Sequence, residues 1–351
     1  MHRRIRHAAL AVALGLAAPM AALAGDCWAP DAATATPPGV WARALNHAGE
    51  RMRRDPAIQA IDRVRYRLHR SVSVPQHSGA PAAAEAHVML HGPDTWQGAC
   101  GLKPEADRLH GASLSVHLNN LRAVLNPLDI GGDAQPPFFV APTETGRRAG
   151  HPVYDGRLLV LTVGRLPAFV PVSVGEYLQA WQRQLDHEQT TTRQDAQALQ
   201  ADEAQWREAL AQLERSDPAA AADMRRTLAE ARATARGEGA SDPLGERAAL
   251  RALRQSLSAA RLASPAYVSS AAMERQRFGI ARADEPGAQA LVRVNPALWQ
   301  GARPGDVRVV ALEVYLNRSE AFDHPDTPLQ AAARGWLSRV DPAIYADLLT
   351  P

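Results

Sequence analysis

Glu85, His87 and His91 are separated by even numbers of residues. On an extended strand their side chains therefore share one face, opposite Ala86, Val88 and Leu90. Carboxylate and imidazole are donors that zinc accepts, which makes these three the candidate metal ligands of the chain. His110 and His117 fall in the same stretch. No HExxH accompanies them, so the competing expectation is a polar strand face with no cofactor.

Other chemistries have thinner support. Hydrolysis by an activated nucleophile lacks both the GxSxG elbow and the SxxK pair. His151 with Asp155, and Asp323 with His324, are acid–base neighbours, but both lie in turn-forming surroundings. Gly131-Gly132 runs into Asp133 and Pro136 without a following helix signal, so it reads as a turn and not a phosphate loop. Asn317-Arg318-Ser319 matches a glycosylation sequon, a tripeptide that arises readily by chance. Trp96, Trp299 and Tyr315 are candidate binding aromatics, whereas Trp181 and Trp206 are expected to pack in a helical seam.

The N-terminus suggests where such chemistry would operate. Arg3, Arg4 and Arg6 precede an uncharged Ala/Leu-rich run from Ala8 to Ala24, the pattern of a secretory signal with cleavage expected after Ala24. Export to a periplasmic or extracellular space follows, with no transmembrane segment in the mature chain. Loss of those three arginines leaves 36 basic against 37 acidic groups. A near-neutral chain with scattered charge carries no nucleic-acid footprint. In an oxidising compartment Cys27 and Cys100 are expected to pair as a disulfide; no CxxC is present to make a redox-active dithiol.

The elements that must position these groups follow from periodicity. Trp41, Leu45, Ala48 and Met52 mark an amphipathic helix between Val40 and Arg54. Alternation then predicts strands around Val64–Leu68, Ala86–Leu90 and Ala112–Leu118, with the arginines of the first on its wet face. Leu158–Val163 and Leu166–Val172 read as further strands, and Gly146 to Gly150 as a polar turn. From Ser173, with Glu176 three residues on as a capping box, Leu178, Leu185, Thr192, Leu199, Trp206 and Leu213 recur every seven residues. That predicts one long helix, followed by two more that begin at Asp217-Pro218 and Asp242-Pro243. The final part returns to strands at 290–294 and 307–316 and closes with a helix over 329–340.

The expected fold is α+β. An antiparallel-leaning β-rich body is interrupted by a long helical hairpin or antiparallel coiled-coil arm. The divisions are a signal peptide (1–24), an N-terminal helix and β-rich unit (25–173), the helical arm (174–263) and a mixed segment completing the β-rich unit (264–351). The functional expectation is a non-enzymatic binding or interaction protein of the cell envelope or exterior, whose arm contacts another envelope protein or supports self-association. The alternative is an exported hydrolase or metal-dependent enzyme with its site on the β-rich unit.

Overall fold

The computed structural model describes residues 28–29, 39–73, 83–98, 100–104, 106, 112–121, 125, 127–128, 130, 138–235, 243–316 and 328–350. The signal segment, Cys27, His110, Gly131-Gly132, Asn317 and the Asp323-His324 pair lie outside the described residues. Helices α1 (Gly39–Arg54) and α2 (Pro56–Gln59) precede strands β1 (Arg65–Ser73), β2 (Ala83–His91), β3 (Trp96–Gln97) and β4 (Gly101–Leu102). Then come β5 (Ala112–Leu118), β6 (Pro127–Leu128), β7 (Phe138–Val140), β8 (Glu144–Arg148), β9 (His151–Tyr154), β10 (Leu158–Thr162) and β11 (Phe169–Pro171). The helical stretch holds α3 (Val174–Ala201), α4 (Glu203–Ser216), α5 (Pro218–Ala235), α6 (Pro243–Ser256) and α7 (Ala259–Ala263). Strand β12 (Tyr267–Val268), α8 (Ser270–Arg275), β13 (Gln289–Val294), β14 (Val309–Leu316), α9 (Pro328–Arg339) and α10 (Ala343–Ala346) complete the chain.

The architecture is α+β, with a large antiparallel sheet and ten helices among the described residues. Seven strands follow the order β1-β2-β5-β14-β10-β9-β8, so β14, from near the C-terminus, lies between β5 and β10. A smaller sheet runs β11-β13-β7-β6, with β12 also on β13. Period-two alternation explains how they stack. Leu159, Leu161, Val310 and Leu312 join the core under α1 and α9, while Leu158, Val160, Val309 and Ala311 face the smaller sheet around Phe139 and Leu298. Phe138, one residue from Phe139, points to the other side of the smaller sheet, where Tyr177, Leu178, Trp181 and Leu185 of α3 cover it. Strands buried on both faces read as continuous apolar runs, which is why 158–162 carries no polar alternation.

Asp55 joins the helices that cover the large sheet. Its Oδ1 accepts from Ala57 N at 2.8 Å as the cap of α2. Its Oδ2 accepts from Trp336 Nε1 at 2.8 Å and Tyr345 Oη at 2.9 Å, reaching α9 and α10. Just past the end of β5, beside the start of its neighbour β14, Asn119 adopts φ 58°. Its Oδ1 accepts from Arg308 N and Val309 N, and its Nδ2 donates to Asp306 O. Asparagine tolerates this left-handed backbone because its short amide can satisfy neighbouring main-chain groups.

Three local expectations are corrected. The expected turn from Gly146 to Gly150 is shorter: residues up to Arg148 belong to an edge strand, Glu144–Arg148, and the turn itself is Ala149-Gly150, with φ 47° and 85°, joining β8 to β9. Its polar sequence hid it because an edge strand exposed on both faces has no apolar alternation to display. Arg65 is not on a wet face but only 8 % exposed. Its guanidinium donates to the carbonyls of Gln97, Gly98 and Gly101 and stacks 4.6 Å from the centre of the Trp96 ring, clasping the β3–β4 hairpin. The long helix from Ser173 is divided at Asp202, where ψ is −4°, although Asp202 N and Trp206 N still bond four residues back.

The helical signals at its two starts are present as bonds. Ser173 N and Oγ both bond Glu176 Oε2 at 2.8 Å, and Glu176 N donates to Ser173 Oγ, a reciprocal capping box. Asp217 Oδ1 accepts from Ala219 N and Ala220 N, opening α5 behind Pro218. Helix α3 packs against α5 and α6, and α4 against α5. Arg277 links two of them, pairing with Glu188 of α3 and Glu246 of α6 while lying 5.2 Å from the Trp181 ring centre.

Candidate functional site

The strand register assembles the chemistry-bearing residues into two rows on one face of the large sheet. In one, His69, His87, Ser115 and Glu313 lie side by side on β1, β2, β5 and β14; in the next, Ser71, Glu85 and His117 do so. Glu85 sits between two imidazoles, with His87 Nδ1 at 3.4 Å from Oε1 and His117 Nδ1 at 3.8 Å from Oε2. Ser115 Oγ donates to Glu85 Oε1 at 3.1 Å. On the far side His117 Nε2 hydrogen-bonds Glu313 Oε2 at 3.0 Å, and Arg157 Nη1 donates to Glu313 Oε1 at 2.6 Å. His69 stacks parallel to His87, ring centres 4.9 Å apart.

Backbone pairing explains the convergence. Glu85 and His117 are direct cross-strand partners, as are Ser115 and Glu313, so neighbouring side chains stand about 5 Å apart at Cβ. The row is sunk into the protein: the side chains of His117 and Glu313 are 4 % and 9 % exposed, and that of Glu85 is 24 % exposed. Burial raises the Glu85 carboxyl, but the hydrogen bond from His87, the charge of His117 and His87 and the Ser115 hydroxyl together hold it down to about 2.

That depression has a definite sign in stability. A carboxyl whose folded pKa is lowered contributes stability in full above its ordinary value of 4.5, and that contribution is lost as pH falls through about 2. Wild-type protein is therefore expected to lose roughly 3 kcal/mol on this account between about pH 5 and about pH 2. Urea midpoints across that range should fall less steeply in Glu85→Gln. An unchanged acid slope in the variant would show that Glu85 is not its source.

The expected metal set does not assemble. Glu85, His87 and His91 share a face, but strand rise of about 3.3 Å per residue puts His91 about 13 Å from His87 and about 20 Å from Glu85. His91 is fully buried beside Arg65, the cross-strand partner of the strand end. Among the described residues no group of three or more His, Cys, Asp or Glu is arranged to hold a metal ion. Periodicity could show the shared face but not the distances along it. The sequence also left out the strongest partners: Glu313, 196 residues from His117, and Arg157, 156 residues from Glu313, which meet only because β14 pairs with both β5 and β10.

The remaining candidates are dispersed. Asp155 occupies the β9–β10 turn at φ 51° and accepts from Thr143 N at 3.0 Å, a turn-forming role, while burial and the nearby Arg165 lower the His151 imidazole below its usual range. Trp96 is half-buried and donates from Nε1 to His91 O at 2.9 Å; Trp299 packs beside Leu298. Tyr315 is 51 % exposed. Trp181 is buried in the α3 core as expected, whereas Trp206 on α4 is 39 % exposed, against the expectation of a seam residue. Open clefts of about 370 and 380 Å³ lie beside Leu253, Arg261 and Arg275, and beside Arg43, His47 and Asp347. No free cysteine stands among the described residues, and no described helix is long and apolar enough to cross a membrane. Comparison with protein-family models, with characterised proteins and with solved structures finds no match to this chain.

Proposed function

We propose that this chain is an exported, non-enzymatic interaction protein of the cell envelope or exterior, and that helices α4 and α5 form the contact surface of a helical hairpin arm. One observation carries the reading. Across the described side chains of these two helices, Ala221 is the sole fully buried apolar residue; Leu210, Leu213, Met224 and Leu228 are half-buried and Trp206 is exposed. Helices of 14 and 18 residues draw most of their stability from burying one apolar face, and this pair leaves that face incompletely covered. A partner helix laid over Trp206 would complete it, supplied by a second copy or by another envelope protein.

Support for export comes from the basic cluster and apolar run before Ala24. Support for a Cys27–Cys100 disulfide comes from their neighbours. Trp28 stacks on Tyr66 at 4.9 Å, and Ala29 clusters with Leu102, Ala106 and Trp96, next to the hairpin that carries Cys100.

Light scattering of the mature protein on a sizing column, compared with Trp206→Glu, tests the contact surface. The reading expects concentration-dependent association, or co-elution with an envelope partner, that the variant loses. Wild-type protein that stays monomeric at high concentration and gains no partner from an envelope extract would remove it.

A further inference from the structure

We propose that the cleft lined by α6, α7 and α8 is a binding site for a small apolar carboxylate, its charge received by Arg261 and Arg275 and its hydrocarbon laid against Leu253, Leu257 and Ile280. The cleft draws on no residue of α4 or α5, so the proposal stands apart from the helical contact surface. Its volume of about 370 Å³ is within the range of small-molecule sites. Leu250 on α6 is buried in the α3 core, but Leu253, Leu257 and Ile280 are only half-buried and leave apolar surface facing the cleft. The turn after α8 closes onto that helix: Gln276 N donates to Ala272 O at 3.1 Å and Gly279 N to Gln276 O at 2.8 Å, and a Cβ at 279 would stand 1.9 Å from Ala272 O. Only glycine permits that approach, so this wall is packed backbone that is in place before a ligand arrives.

Charge selects the ligand class. The described residues lining the cleft include two arginines and no acid. Arg275 pairs with Glu285, outside the lining, at 3.0 Å. Arg261 is held by neutral acceptors, Ser264 Oγ at 2.9 Å from Nη1 and Ala281 O at 3.2 Å from Nη2, and pairs with no carboxylate among the described residues. Those bonds fix the guanidinium, use two of its five N–H groups and leave its charge unanswered beside an apolar wall. A half-buried cation attracts an anion more strongly than one in open water, and the planar guanidinium fork matches a carboxylate. With Arg275 already neutralised, one positive charge remains, which fits a monoanion. An inorganic anion would answer that charge and leave the leucines and Ile280 wet; a carboxylate carried on hydrocarbon satisfies both.

The probe is octanoate, titrated into the intact mature protein and followed through the methyl resonances of Leu253 and Ile280. Octanol, which has the chain without the charge, and acetate, which has the charge without the chain, are titrated beside it. Octanoate should shift those methyls saturably with a Kd of about 1 mM or tighter, and octanol and acetate should each bind about tenfold more weakly or worse. Arg261→Gln should weaken octanoate about tenfold or more while leaving octanol unchanged. Leu257→Glu sets a carboxylate on the half-buried wall without touching the bonds of Arg261, and should abolish octanoate binding with native circular dichroism intact. Absence of saturable octanoate binding to wild-type protein would overturn the proposal. So would octanol that binds as tightly as octanoate, or octanoate affinity that either folded variant retains in full.

Discussion

Replacing Asp55 with alanine is expected to lower folding stability by about 3–5 kcal/mol, because one buried carboxylate serves three donors from three parts of the chain. Asp55 is 1 % exposed and accepts from the Ala57 amide, the Trp336 indole and the Tyr345 hydroxyl. Burial first, and then the neighbouring carboxylate, raise the Tyr345 hydroxyl well above the usual tyrosine range, so it stays a donor throughout. Alanine would leave the Trp336 and Tyr345 donors without acceptors inside the core, which costs more than the bonds contribute. Trp336→Phe removes a single donor and should cost about 1–2 kcal/mol beyond its packing loss. Urea unfolding of both variants checks the ranking; an Asp55→Ala protein within about 1 kcal/mol of wild type would mean the three donors find other partners.

Breaking the proposed Cys27–Cys100 bridge should have a comparable effect. A cross-link closing a loop of this length restricts the unfolded chain by roughly 4 kcal/mol in the chain-entropy model. Part of the effect would be local, since Arg65 already clasps the hairpin of Cys100 through the carbonyls of Gln97, Gly98 and Gly101. Reduction, or Cys100→Ala, is therefore expected to lower the denaturation midpoint while leaving the native circular dichroism unchanged. The mature protein should resist iodoacetamide until a reductant is added. Labelling of Cys100 in the unreduced protein, or a midpoint insensitive to reductant, would remove the bridge.

Much of the architecture was legible wherever a segment has one wet and one dry face. Trp41, Leu45, Ala48 and Met52 announce α1 by spacing, and all four are buried in the core they predict. Strand β2 alternates as its sequence does, with Ala84, Ala86, Val88 and Leu90 inward. Alternation fails at the sheet's extremes. Glu144–Arg148 is exposed on both faces, so it shows no alternation and its last residues read as part of a turn running to Gly150, and the exposure of Trp206 depends on how α4 meets its neighbours rather than on its heptad position.

The site was legible by face but not by neighbour. Glu85, His87 and His91 share one face of β2, but the strand rise sets His91 about 13 Å from His87. Their actual partners come across the sheet. His117 is opposite Glu85, and Glu313 reaches His117 only because β14 inserts beside β5 after nearly two hundred intervening residues. Pairing order of this kind is set by long-range packing, which local periodicity does not encode.

The contact surface proposed for α4 and α5 centres on the exposed Trp206. Its most direct measurement places a photo-activated cross-linking residue at position 206 in the intact envelope, with a second protein carrying it at the exposed Leu166 as control. A discrete adduct of higher mass is expected from position 206, either a dimer of this chain or one defined partner, and none from position 166. Equal, diffuse labelling from both positions, or no adduct from 206, would contradict it.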